Sequence, residues 1–108
     1  MSSHEEAYNT IVNTPEVTEE HKAEWTHQLL AAAGGFAAMR ALNNRKEEAG
    51  EEVDHSTAKE ILAAAAAGAV DNFIETKGMD WFDRHRAKKE AEEEAQKLYS
   101  QQTGYNFD

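Results

Sequence analysis

An alanine-rich stretch that occurs twice is the feature of this sequence that most constrains its fold. Residues 29–42 read LLAAAGGFAAMRAL and residues 61–74 read ILAAAAAGAVDNFI. At an offset of 32, the two stretches match at five positions, from Leu30 and Leu62 to Ala37 and Ala69. Alanine is the strongest helix former, and neither stretch contains proline. The sequence therefore predicts two packed helices, related either as a helix-hairpin repeat or only by their shared alanine content.

The first of these helices is predicted to begin near residues 15–19, where Thr14-Pro15 and Thr18 offer caps. Its apolar side chains recur at spacings of three and four residues, as one side of an α-helix requires. The polar run 43–52 is predicted to end this helix and to form a linker.

Two further helices are predicted after the linker. One starts after Asp54 or Ser56 and ends at Lys77-Gly78, where glycine supplies the left-handed conformation of a C-cap. The other runs from Trp81 to about Tyr99, with Asp80 as its cap. The prediction is thus an all-α bundle of three main helices, with the two alanine-rich helices as an antiparallel hairpin. Residues 1–14 are a partly ordered segment, 15–100 one helical domain, and 101–108 a tail.

The first helix is predicted to have two unlike sides. One side is bulky, and the other is a strip of small residues that another backbone could approach closely. The bulky side comprises Trp25, Leu29, Phe36 and Met39, and the strip comprises Gly34, Ala37, Ala38 and Ala41. Glycine inside a helix costs about 1 kcal/mol relative to alanine, so Gly34 and Gly35 indicate close packing or a kink. The residues expected in helix packing or at an interface are Trp25, Leu29, Gly34, Gly35, Phe36, Ala38, Leu62, Ala66, Gly68 and Phe73.

Composition narrows the classes of partner. The chain has 11 Lys and Arg against 21 Asp and Glu, a formal net charge of −10, which repels nucleic acid and anionic membranes. It has no cysteine, and its amino-terminal residues lack the basic start and apolar run of a signal peptide. No run reaches the 20 or so apolar residues of a membrane span. We expect a cytoplasmic protein that binds neither nucleic acid nor membrane.

Two Glu-x-x-His spacings are the main candidates for chemistry. Glu24 with His27, and Glu52 with His55, are spaced as helical metal ligands are. The alanine-rich stretches supply no further inward carboxylate, so a di-metal site is not expected. Two alternatives remain: solvated or capping side chains, or a single divalent ion such as zinc held by Glu24, His27 and His55. The sequence offers no activated nucleophile and no phosphate-binding loop. We therefore expect neither an enzyme nor a cofactor.

The sequence resembles a known family in three segments. They are AYNTIVN at residues 7–13, HKAEWTHQLLAAAGGFAAMRAL at 21–42, and DHSTAKEILAAAAAGAVDNFIETKGMDWFDRHRAKKEAEEEAQKLY at 54–99. They are similar to the fungal concanamycin-induced protein C family, also called antibiotic-response proteins. The resemblance implies a small intracellular protein induced by antibiotic or other stress, and it transfers no catalytic residue.

The functional expectation is a non-enzymatic stress-response protein that acts through self-association or through a protein partner. The first alanine-rich helix has two apolar sides, but the chain contains only one other strongly apolar helix to pack against them. A second copy would cover the remainder, so we expect a homodimer or a larger homo-oligomer. The alternative function is binding of a divalent metal by histidine and glutamate side chains.

Overall fold

Four α-helices form the described part of the chain. The computed structural model describes residues 3–14, 27–50, 53–79 and 83–107. The helices are α1 (Ser3–Asn13), α2 (His27–Ala49), α3 (His55–Lys77) and α4 (Arg84–Thr103). The predicted all-α class is confirmed for these residues, but the predicted count of three main helices is not.

Helix α2 extends further toward its carboxyl end than the sequence analysis predicts. Residues 43–49, predicted to begin a linker, continue the helix, because the last five of them (Arg45 to Ala49) are good helix formers that extend it past the two asparagines. The helix ends at Gly50, which has a φ of 71° and donates its N–H to the Lys46 carbonyl at 3.0 Å. The linker prediction for residues 43–49 is therefore wrong. The predicted start near residues 15–19 lies outside the described residues.

Helix α3 begins and ends where its sequence predicts. The Asp54 carboxylate accepts a hydrogen bond from the backbone N–H of Thr57 at 2.8 Å and so caps the first turn. At the other end, Gly78 adopts the left-handed conformation with a φ of 68° and donates its N–H to the Ile74 carbonyl. Of the two predicted starts, the one after Asp54 is confirmed, and so is the predicted glycine cap.

Helix α4 ends four residues later than predicted. It starts at Arg84, after Asp83 accepts a hydrogen bond from the Arg86 N–H, and it continues to Thr103. Residues 101–103 are therefore helical, and the prediction that they belong to a tail is wrong. The predicted cap Asp80 and the predicted start Trp81 lie outside the described residues.

Each of the three long helices buries a row of residues spaced four apart. Residues i and i+4 lie one above the other on a helix, so such a row makes a continuous packing ridge. Small members of the rows allow the backbones to approach closely. The rows are Leu30, Gly34, Ala38 and Leu42 in α2; Ala58, Leu62, Ala66, Val70 and Ile74 in α3; and Ala87, Ala91, Ala95 and Tyr99 in α4.

Contacts between the rows fix the helix directions. Gly34, early in α2, lies against Val70, late in α3, while Lys46 and His55 at the other ends of these helices both contact Tyr99. The hairpin of α2 and α3 is therefore antiparallel. Helix α4 runs parallel to α2, because Gly35 lies against Ala95, and Lys46 lies over the ring of Tyr99.

Helix α1 covers the bulky side of α2. The Tyr8 ring centroid lies 5.3 Å from that of Phe36 and 6.4 Å from that of Phe73, and Ile11 is fully buried. Most of the segment predicted to be partly ordered is thus a docked helix. Part of the apolar surface that suggested a second copy is covered by this chain itself.

Candidate functional site

A cluster of aromatic rings lies at one end of the bundle, where α2 and α4 end and α3 begins. A hydrogen bond joins the Tyr99 hydroxyl to His55 Nδ1 at 2.7 Å. The Tyr105 ring stacks on the His55 ring, with centroids 3.6 Å apart and planes 7° apart. Phe107 packs on Tyr99 with ring centroids 5.1 Å apart. We name His55, Tyr99, Tyr105 and Phe107 the aromatic end.

The chain reaches the aromatic end by turning back after α4. Gly104 makes the turn with a φ of 79°, a conformation that residues with a Cβ rarely adopt, and its N–H donates to the Ser100 carbonyl at 2.8 Å. The Tyr105 N–H then donates to the Thr103 hydroxyl at 3.1 Å. These bonds are local, so in the described structure residues 105–107 meet the bundle mainly through their rings.

Two lysines border these rings. Lys46 Nζ lies 5.7 Å from the Tyr99 ring centroid, and Lys59 Nζ lies 5.9 Å from that of Phe107. Both distances are within the range of a cation–π interaction. Close by, the backbone hydrogen bond from Thr57 lowers the pKa of the Asp54 carboxyl, which is therefore ionised at neutral pH. The aromatic end thus combines flat apolar surface with charges of both signs.

An open groove of about 450 Å³ runs along α4 beside the turned-back segment. Amide, hydroxyl and charged side chains form most of its wall, and Phe107 adds one aromatic face. The lining residues are Glu93, Gln96, Lys97, Ser100, Gln101, Asn106 and Phe107. Such a wall can hydrogen-bond a peptide backbone while a ring packs on Phe107.

A second polar contact holds α1 on α4. His4 Nε2 lies 2.9 Å from Glu94 Oε2, and Lys97 Nζ lies 3.4 Å from Glu94 Oε1. Partial burial raises the pKa of the Glu94 carboxyl, but the hydrogen bond with His4 and the charge of Lys97 lower it by more. The net effect is a Glu94 pKa below its ordinary value. The charged form of Glu94 therefore stabilises the folded chain.

Replacing Glu94 with glutamine is expected to destabilise the protein at pH 6 more than at pH 3. A carboxyl whose pKa is lowered by folding contributes stability above its unfolded-state pKa of about 4.3. That contribution is lost as the pH falls through the lower folded-state value. Urea unfolding of the native chain and of Glu94→Gln at both pH values measures the difference. Glu93→Gln, at an exposed neighbour, is the matched control. An effect of Glu94→Gln that does not change with pH would contradict the role of its charge.

The two histidines predicted to bind a metal are not brought together. His27 begins α2, whereas His55 contacts Tyr99 near the other end of that helix. The 19 residue-to-residue steps from His27 to Lys46 span about 28 Å at a rise of 1.5 Å each. His27 and His55 of one chain therefore cannot ligate a single ion, and Glu24 lies outside the described residues. Among residues 3–14, 27–50, 53–79 and 83–107, no three His, Cys, Asp or Glu side chains group as a metal site.

The predicted packing residues are mostly used within the chain. Gly34 and Gly35 are buried against α4, where added Cβ atoms would lie 2.9 Å from the Cβ atoms of Ala91 and Glu94, respectively. Gly68 is exposed, with open space around it. Trp25 lies outside the described residues. The remaining predicted residues are buried (Ala38, Leu62, Ala66 and Phe73) or half-buried (Leu29 and Phe36).

The aromatic end was not predicted from the sequence. His55 was predicted to be either a solvated or capping side chain or a metal ligand, and Tyr105 and Phe107 were predicted to lie in a tail. A usable signal was present, because two aromatic residues spaced by one follow a glycine placed directly after a helix. The partner rings on α3 and α4 were not visible from that spacing.

The fold and the site define the class of this protein: a small all-α helical bundle whose described core is apolar. A family model described as "Virulence factor CipC-like" matches residues 7–102 of the 108. The chain belongs to this CipC-like family, as its resemblance to the concanamycin-induced protein C family implies. No curated protein and no solved structure matches the chain. In the described residues, no helix is both long and apolar enough to cross a membrane.

Proposed function

We propose that this CipC-like protein is a non-catalytic component of a stress or antibiotic response, and that it acts by self-association. The family description carries the link to virulence, and the resemblance to the concanamycin-induced protein C family carries the link to stress and antibiotics. Binding to a different protein is the alternative form of the same proposal.

The roles of the charged side chains support a non-catalytic function. Within the described residues, the core contains no buried charged side chain. The two carboxyls with lowered pKa values, Asp54 and Glu94, serve a helix cap and the contact between α1 and α4. Groups tuned for catalysis instead lie in clefts, with pKa values matched to a proton transfer. The helix cap explains the pKa shift of Asp54, and the contact between α1 and α4 explains that of Glu94.

The exposed ring at the aromatic end is the observation that carries the proposal of an interface. Most large apolar side chains in the described residues are buried or half-buried. The two exposed ones are Val12, at 46% exposure, and Tyr105, at 38%. Aromatic residues are enriched at protein interfaces because one rigid ring buries a large area at a small cost in conformational entropy. The aromatic end, rather than the strip of small residues used inside the chain, is therefore the surface offered for association.

Light scattering across a dilution series in about 0.15 M salt tests this proposal, because salt at that concentration screens exposed charges beyond about 8 Å. We expect twice the chain mass of 12.1 kDa at high micromolar concentration, with dissociation on dilution. A mass of one chain that persists at high micromolar concentration would exclude self-association. Partner binding would then be the remaining form of the proposal.

A further inference from the structure

We propose that the surface formed by His55, Lys59 and Tyr99 is a docking site for a Tyr-x-Phe segment. In the described structure, the chain's own Tyr105-Asn106-Phe107 occupies it. In the self-associated form, the same segment of a second copy would occupy it, with each copy exchanging residues 105–107 with the other. This inference rests on the self-association proposed above and names the surface that would carry it.

The ring geometry shows that the surface recognises aromatic side chains spaced by one residue. The Tyr105 ring lies flat on His55, while the Phe107 ring packs on Tyr99 at 5.1 Å and under Lys59. The two contacts are therefore made by residues i and i+2, on neighbouring parts of α3 and α4. A segment with one of the two rings would fill only half of this surface.

The segment can leave the surface without unfolding a helix. Gly104 has open space around it, and Tyr105 and Asn106 are exposed. The hydrogen bond from the Tyr105 N–H goes to Thr103 at the end of α4, so it does not attach the segment to another helix. Release therefore costs mainly the ring contacts, and a second copy offers identical contacts in return.

The charges beside the segment and beside the surface favour the docking of residues 105–107. The sequence after Phe107 continues with Asp108, whereas Lys46 and Lys59 border the surface. Opposite charges on segment and surface assist docking. The same end of the bundle also carries the exposed acids Glu47, Glu48, Asp54 and Glu60, which would repel one another when two bundle ends meet. Salt at about 0.15 M screens this repulsion beyond about 8 Å, so the light-scattering measurements are made at that concentration.

The test uses the variant Tyr105→Ala/Phe107→Ala, which leaves the surface empty. A fluorescein-labelled peptide TGYNFD is titrated with this variant and with the native chain, and its anisotropy is measured. We expect the variant to bind the peptide about tenfold more tightly than the control peptide TGANAD, since each lost ring contact contributes part of the affinity. The native chain should bind TGYNFD more weakly than the variant, because its own segment competes. Equal binding of both peptides by the variant would overturn the proposed recognition.

Light scattering on the same samples separates this inference from self-association itself. The double variant should remain monomeric at concentrations where the native chain is dimeric, and Val12→Ala, which leaves the four rings in place, should dimerise normally. A double variant that dimerises like the native chain would overturn the exchange and leave self-association standing. A native chain that is monomeric throughout would overturn both. Circular dichroism must show unchanged helix content in the double variant, and a variant that loses its helices is replaced by Tyr105→Ala alone.

Discussion

Gly35→Leu is expected to lower the free energy of unfolding by about 3 kcal/mol or more, since overpacking a core typically costs about 1–3 kcal/mol and this contact is with a backbone. A Cβ added to Gly35 would lie 2.9 Å from Glu94 Cβ and 3.0 Å from the backbone nitrogen of Ala95. These atoms belong to the body of α4 and cannot rotate away. Leucine would therefore push α2 from α4 along the row of small residues. Urea unfolding followed by circular dichroism measures the change.

The same substitution to alanine at two glycines provides a matched comparison. Gly35→Ala should destabilise the protein, because even one methyl group meets the α4 backbone. Gly68→Ala should stabilise it by about 0.5–1 kcal/mol, since Gly68 is an exposed helical position with nothing within 4 Å of the added Cβ. Intrinsic helix propensity favours alanine equally at both sites. If both variants gained stability, Gly35 would not lie in a close helix contact.

The alanine-rich helices could be predicted because their signals are local. Alanine content, the absence of proline, the carboxylate of Asp54 and the glycine at position 78 each act within a few residues. The close contact at Gly34 and Gly35 was also accessible, because helical glycine needs a compensating reason. The sequence did not indicate the helix that supplies the contact. Gly34 and Gly35 pack most closely on α4, whose alanines at positions 91 and 95 stand in a strongly charged sequence.

The sequence similarity between residues 29–42 and 61–74 has a structural counterpart. At the same offset of 32, the buried row of α2 from Leu30 to Leu42 corresponds to the buried row of α3 from Leu62 to Ile74. Each helix therefore offers the same ridge to its neighbours. A packing requirement is sufficient to produce this correspondence, so the structure does not need a duplicated hairpin to explain it.

Helix α1 and the aromatic end depend on distant partners, and this is why sequence reasoning missed them. An isolated helix of 11 residues is marginal in water, so α1 depends on Phe36, Phe73 and Glu94 for its place. Likewise, Tyr105 and Phe107 make little local structure and depend on rings at positions 55 and 99. The linker error at residues 43–49 has a different source, since charged residues that read as a loop are also good helix formers.

Tyr99→Ala is expected to lower the free energy of unfolding by about 3–5 kcal/mol, as truncation of a buried aromatic side chain commonly does. Tyr99 is 1% exposed and ends the buried row of α4, and its ring contacts both His55 and Phe107. Removing it would leave a cavity and would also release residues 105–107. Urea unfolding gives the loss, and the fluorescence of the tyrosines would report the release.

Tyr99→Phe separates the ring of Tyr99 from its hydroxyl. It keeps the packing and removes only the hydrogen bond to His55, which should cost about 0.5–1.5 kcal/mol. His55→Ala and the double variant Tyr99→Phe/His55→Ala complete a double-mutant cycle, which measures the coupling free energy between the two side chains directly. We expect the losses of stability in the two single variants to add up to more than the loss in the double variant, because each single variant already removes the same hydrogen bond. If Tyr99→Ala cost no more than Tyr99→Phe, the ring would contribute nothing beyond its hydroxyl, and the aromatic end could not be the packed surface on which a Tyr-x-Phe segment docks.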